Sequence, residues 1–492
     1  MPSGRVRLTL GGMMRRRNFL SFLSALAPAA ILGRQEIHAM SRGAMGKPAL
    51  HVTPEAMKAA WQSIAWGGYS GQAMTIDVGL PWRLLAWENG QFVPWWEIDS
   101  KLCFFSEWLE TYGTRSSYDY EPISDKANRY THVEITELGP ARVVLHWEYA
   151  LCDATRHAGI FHGNTWAEEF HTVYPDGLTV RKLVAYPGSQ STAEGEPRFW
   201  EVAEIDLIFA PPSTLNETIT KTPLRVTSTS GHSYALPWPS TGDPWFCRRN
   251  PKVSEWPAYI FRAGLKNRPE PYLIVPNRKD YFPRRTCPLC EQDHPCVLLW
   301  LSPHLYKHYP GFKGEYEIGV EASEADMKTH PVSMPLVSVL PWVHKFYFEP
   351  GDHSSRPLQP EWSPAPGTTW LMLWGTSDQG DEHIENVARQ WLNPAVLKMT
   401  EGENAGFEPA ENLYQVHAGR DRCEFTLAAD SQAPVVHPSF KILDWGYRPA
   451  QILIDGKILS PEQWRGTWNR KDLIVWIDKI LTAPARIRFE TF

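Results

Sequence analysis

The residue types best equipped for chemistry crowd between positions 118 and 186. Glu121-Pro-Ile-Ser-Asp125-Lys126-Ala-Asn-Arg129-Tyr130-Thr-His132 sets acids, bases and a phenol within twelve residues, and His132, His146, His157, His162 and His171 follow within forty, out of 17 histidines in the chain. Strict alternation from Ala141 to Leu151 puts Arg142, Val144, His146 and Glu148 on one face of a strand and Val143, Leu145, Trp147 and Tyr149 on the other. From Trp166 to Tyr174, Glu168 and Phe170 oppose Glu169 and His171, and Arg181 follows a turn. A polar sheet face of this composition suits binding or cleaving a sugar polymer. β-Elimination on a uronic acid must neutralise a carboxylate, remove a carbon-bound proton and protonate the leaving oxygen. Arg129 or Arg181 would neutralise, His146 or His132 would act as base, and Tyr174 or Tyr130 as acid. Trp166, His171 and Trp147 would contact the substrate. Hydrolysis would instead use two carboxylates, with Glu169 and either Asp125 or Glu121 as the pair.

A second group lies downstream in Cys287-Pro-Leu-Cys290-Glu-Gln-Asp-His294-Pro-Cys296. The C-x-x-C spacing lets two thiolates reach one metal, and His294 and Cys296 would complete a structural zinc tetrahedron, with Cys247 as a distant option. A disulfide and plain free thiols are the competing readings. No haem, iron–sulfur or dinucleotide motif appears, so no organic cofactor is expected.

The elements that must position these residues are mostly strands. Thr131–Leu138, Ala141–Leu151, Thr165–Tyr174 and Leu178–Tyr186 are separated by turn signals at Gly139-Pro140 and Pro175-Asp176-Gly177. Trp200–Phe209, Tyr272–Val275, Val297–Leu301, Val337–Phe348 and Thr369–Trp374 are also strand-like. Pro-rich stretches at 210–257 and 276–296 are too long for hairpin turns and read as loops walling a cleft. Thr53-Pro54-Glu55 predicts a short helix over 54–61. Ile384, Val387, Ala388, Trp391 and Leu392 predict another at helical spacing, stopped by Asn393-Pro394. Short strands then recur to the end, with Asp455-Gly456 as a two-residue hairpin turn. The expected organisation is a large β-sandwich over 50–378, a linking helix over 379–393 and a small β-sandwich over 394–492.

Composition agrees with a folded, β-rich chain of 492 residues: 43% hydrophobic, 21% charged, with 23 Trp and 42 Pro. Arg16-Arg17-Asn18-Phe19-Leu20 before a short apolar stretch resembles a twin-arginine export signal over residues 1–39, and predicts a periplasmic or secreted protein. Its removal leaves 43 basic and 54 acidic residues, a net charge of −11. No basic stripe remains for nucleic acid, and no apolar run in the mature chain is long enough to span a bilayer.

Several segments carry a resemblance. Glu121–Lys126, Arg129–His132, Pro140–Tyr149, Trp166–Gly177 and the stretch from Pro434 to Trp476 resemble large secreted bacterial proteins of galactose-mutarotase-like β-supersandwich and polysaccharide-lyase-like type. The resemblance implies a β-supersandwich with a small C-terminal β-domain and a polysaccharide or oligosaccharide as partner. Uronate lyase chemistry is its sharpest version. The alternatives are a glycoside hydrolase and a non-catalytic carbohydrate-binding envelope protein with stacking platforms at Trp95-Trp96 or Trp61/Trp66. A redox metalloprotein remains the outside reading.

Overall fold

In the computed structural model, the period-two segments form long antiparallel strands in two facing sheets. The structure describes residues 57–113, 119–153, 159–188, 197–240, 243–305, 320–344 and 363–491. The expected export segment 1–39, His157 and residues 345–348 of an expected strand lie outside them, as does the side chain of His162.

One large sheet has ten strands among the described residues. It begins as a meander of Lys58–Trp66, Tyr69–Asp77, Arg83–Trp87, Pro94–Asp99 and Leu102–Phe105, then continues through Ala203–Phe209 and Val332–Leu340. The other has nine, in the order Ser233–Leu236, Ile219–Thr227, Ala258–Leu265, Glu270–Pro276, Thr368–Ser377, Leu178–Tyr186, Trp166–Val173, Val143–Ala150 and Thr131–Leu138. Trp374 of the second sheet meets Trp96 and Phe104 of the first edge-on, at ring separations of 6.4 and 5.5 Å. The tryptophans thus fill the space between the sheets.

Three neighbouring strands leave the first large sheet at one corner and enter a small five-stranded sheet. Leu102–Phe105 passes to Glu110–Gly113, Ala203–Phe209 connects back to Pro197–Glu201, and Val332–Leu340 passes to Trp342–Val343.

The helix forms at Asp381–Leu392, with Ile384, Val387, Ala388 and Trp391 buried. They pack with Val180, Ile260, Ile274 and Leu373 on the outer face of the second sheet and with Ile474 and Trp476 beyond. Two further five-stranded sheets follow, around Phe425, Phe440, Trp445, Val475 and Phe489. Asp455 and Gly456 take φ of 50° and 76° and join Ile454 to Lys457, the geometry of a type I′ turn.

Two expectations are corrected. The helix expected over 54–61 is a strand from Lys58 onward, because Lys58–Trp66 pairs residue for residue with Tyr69–Asp77 across Gly67-Gly68. A nine-pair ladder outweighs a local N-terminal helix signal. The stretch 210–257, expected as loop, holds strands Ile219–Thr227 and Ser233–Leu236. No helix of the described residues is long and apolar enough to cross a membrane.

Candidate active site

The two sides of the second large sheet divide the residues expected to act together. His132, His146 and Trp166 face outward with Glu134, Glu148, Glu168 and Phe170, all exposed or half-buried. Trp147, Glu169, His171 and Arg181 face the interior and are at most 1% exposed. Tyr174 lies elsewhere, with its hydroxyl donating to the Glu411 carbonyl where the helix and the C-terminal sheets pack on the large sandwich. Trp95, Trp96 and Trp66 are core residues, while Trp61 is half exposed.

The interior group is a closed network. Arg181 grips Glu169 with two parallel bonds, Nε to Oε2 at 2.6 Å and Nη2 to Oε1 at 2.7 Å. Tyr149 donates to Glu169 Oε1 at 2.7 Å, and His171 Nε2 lies 3.0 Å from Oε2. Burial is the largest influence on Glu169 and pushes its pKa up. The Arg181 charge and the hydrogen bonds from His171 and Arg181 overturn that and hold it at about 2. Burial likewise lowers the pKa of His171, so the ring is neutral and donates from Nε2. With every oxygen engaged and no path to solvent, Glu169 and Arg181 cannot reach a polymer.

What the network does is visible in its remaining bonds. Arg181 Nη1 donates to the Ser106 carbonyl at 2.9 Å and the Val202 carbonyl at 2.8 Å. The Leu109 amide donates to Tyr149 Oη at 2.7 Å. Ser106–Leu109 and Val202 are two of the three sheet-to-sheet crossings. A guanidinium from the facing sheet therefore pins the corner where the crossings meet.

On that corner sits a cluster the sequence reading missed: Glu107, Glu110, Glu201 and Glu204, each only 6–8% exposed. One carboxyl oxygen from each of Glu107, Glu201 and Glu204 lies within 4.8 Å of the others. Burial raises all four pKa values, reinforced by repulsion from neighbouring carboxyls at Glu107, Glu110 and Glu204 and from Asp119 at Glu201. Burial pushes the Glu201 pKa up to about 8, against the lowering effect of hydrogen bonds from Glu107 and Glu110. Glu107 hydrogen-bonds Glu204 as well. At neutral pH the cluster holds protons in common. Glu107 has a left-handed backbone, φ 59°, at a cost of about 1–2 kcal/mol for a residue with a Cβ. The Arg181 and Tyr149 bonds on either side hold it there.

Trp300, 44% exposed, donates to Ser338 Oγ at 2.6 Å, and Ser338 Oγ in turn donates to Glu204 at 3.3 Å. A solvent-facing indole thus stands two hydrogen bonds from the carboxyls, a surface on which a sugar ring can stack. Glu107, Glu201 and Glu204 are also the hard oxygen donors that a divalent cation takes.

The outer face of the sheet gathers a different subset. Arg129 lies over the Tyr130 ring at 5.0 Å, and Tyr130 meets Trp166 edge-on at 6.3 Å. Trp166 pairs across the strands with Tyr186, and His132 with Glu148. His146 stacks on Phe170 at 4.5 Å with Nδ1 3.4 Å from Glu134. Asp125 anchors the start of this strip, accepting from the Tyr130 amide at 2.6 Å.

In the cysteine-rich segment the expected ligand set changes. Cys296 is disulfide-bonded to Cys287, with Cα atoms 5.3 Å apart. The cluster of potential ligands is instead Cys247, Cys287, Cys290 and His294.

No family model matches the chain, and no curated protein matches it in sequence. Among solved structures it is similar to one titled a polysaccharide lyase, at 6% identity and a TM-score of 0.16, over 89% of this chain and 47% of that one. The chain thus spans about half the length of that protein. The reading of the site rests on its own geometry.

Proposed function

We propose that the protein is an exported carbohydrate-active enzyme that cleaves a glycosidic linkage with the Glu107–Glu110–Glu201–Glu204 cluster as its acid and base. The observation that carries this reading is the set of raised, proton-sharing carboxyls on a strained corner beside an exposed tryptophan. Raised carboxyls are how an enzyme keeps an acid protonated near neutral pH. Glu201, raised to about 8, is the base or nucleophile, and Glu107, raised beside it, is the acid.

A lyase acting on a uronate is the second reading, favoured by the strip of Arg129, Tyr130, His132 and Trp166. A cation, a phenol, an imidazole and a stacking ring share one exposed face there. If that strip only binds, it holds the polymer while the carboxyls cut.

The test is incubation of the mature protein with a panel of neutral and uronic-acid polysaccharides, with and without chelator. Reducing ends and absorbance near 235 nm are followed together. Hydrolysis is expected to release reducing ends without the absorbance, and to be lost in Glu201→Gln. Absorbance that survives Glu201→Gln and vanishes in His132→Ala would replace the hydrolase reading with elimination on the outer face. Neither signal on any polymer, with binding intact, would leave a carbohydrate-binding protein and sink the catalytic reading.

A further inference from the structure

The cysteine cluster lies apart from the carboxyls and answers to different chemistry. The chain brings it together from two places. Cys287 and Cys290 ride on a tight turn closed by the Cys287 amide to the Gln292 carbonyl at 3.0 Å and the Glu291 amide to the Cys287 carbonyl at 2.9 Å. Cys247 comes from the short helix Phe246–Arg249. A bridge between Trp245 and Leu298, and the Leu299 amide on the Pro244 carbonyl at 2.8 Å, seat that helix beside the strand that follows the turn.

The histidine is already oriented as a ligand. His294 is 1% exposed, and its Nδ1 lies 2.6 Å from the Pro295 carbonyl, so Nδ1 carries the proton. The lone pair on Nε2 then points to Cys290 Sγ at 2.9 Å. A backbone carbonyl fixing the far nitrogen is the arrangement that holds metal-binding imidazoles. One atom from each of Cys247, Cys287, Cys290 and His294 lies within 4.8 Å of the others, close enough to collapse onto a single ion.

We propose that Cys247, Cys287, Cys290 and His294 form a tetrahedral zinc site that is mutually exclusive with the Cys287–Cys296 disulfide. Cys287 belongs to both, and its sulfur cannot bond Cys296 and a metal at once. An external dithiol reduces the disulfide by two-electron exchange, leaving thiols on Cys287 and Cys296 and a disulfide on the reductant. Zinc then displaces the protons of Cys247, Cys287 and Cys290 and takes neutral His294 as its fourth ligand. Three thiolates and Zn²⁺ leave one net negative charge. The nearby, largely buried Arg284 supplies a positive charge on that side of His294, partly neutralised by its ion pair with Asp293.

The test uses the mature protein and zinc itself. After dithiothreitol treatment and anaerobic exchange, about one zinc per chain is expected, against little in the untreated oxidised protein. Cys296→Ser frees Cys287 and is expected to bind zinc without any reductant. Cys247→Ser and His294→Ala are expected to weaken binding more than about tenfold. Cobalt in place of zinc reads the ligands directly in Cys296→Ser, which keeps all four, and a thiolate charge-transfer band of three-sulfur intensity is expected. Loss of zinc in Cys296→Ser, unchanged binding in Cys247→Ser, or zinc uptake by the wild type with its disulfide intact would each overturn the proposal.

Discussion

Replacing Glu201 by Gln should make the protein more stable at alkaline pH and far less active wherever the wild type works. In the folded chain the Glu201 pKa moves from 4.5 to about 8. Raised in the folded state, it contributes stability that is fully present below pH 4.5 and lost as pH rises toward 8, because the unfolded chain releases the proton first. At about 1.4 kcal/mol per pH unit, an isolated group with this shift would lose roughly 5 kcal/mol over that window. Glu107, Glu110 and Glu204 share the protons, so roughly 5 kcal/mol is the ceiling for Glu201 alone. The amide never ionises, so the variant escapes that loss. Urea midpoints measured from pH 5 to pH 9 should nearly coincide at the acid end, with the variant slightly weaker because its amide needs an acceptor. They should separate in the variant's favour toward pH 9. Activity should fall by about 10²- to 10⁴-fold, the usual worth of a positioned base. In the wild type it should rise with pH through about 8, as Glu201 ionises. Parallel stability curves, or a variant that loses stability at pH 9, would refute the account of shared protons.

Arg181→Met should destabilise the fold by about 3–5 kcal/mol, since it strands Glu169 as an unpaired buried charge, and a thermal melt reads this. The double variant Arg181→Met/Glu169→Leu should recover part of the stability but not the activity, because the Ser106 and Val202 carbonyls still lack their donor. Tyr174→Phe should cost about 1 kcal/mol by removing its bond to the Glu411 carbonyl, and should leave kcat unchanged. Tyr130→Ala with Trp166→Ala should weaken retention in polysaccharide-containing gels, by about 0.5–1.5 kcal/mol for each ring, while hydrolysis of short oligosaccharides persists.

How much of this was legible depended on the range over which each feature is encoded. The strand Thr131–Leu138, the helix ending at Leu392 and the Asp455-Gly456 turn are written in periodicity or in a dipeptide, and the structure carries them. Alternation also sorted Trp147 and Tyr149 from His146 and Glu148. It could not say which face meets the other sheet, so Glu169 and Arg181 looked as available as His146. The carboxyl cluster had no signature because its members come from 107, 110, 201 and 204. Only the shared corner unites them. One local hint was present: Ser106-Glu107-Trp108-Leu109-Glu110 interrupts an apolar strand with two acids, as Glu201-Val-Ala-Glu204 does. Cys247 stood forty residues from its neighbours, and the pairing of Trp245 with Leu298 and the bond from Leu299 to Pro244 bring it in.

The Arg181 bridge also has a kinetic meaning. It joins Ser106, Glu169 and Val202, so the corner takes shape only after segments nearly a hundred residues apart have met and both large sheets have closed on each other. Such non-local pairings form slowly. A refolding chain should therefore regain its strand content well before it regains a working site, and catalytic recovery becomes a clock for the last step of assembly. A chain with a competent carboxyl corner is one whose sandwich is already complete.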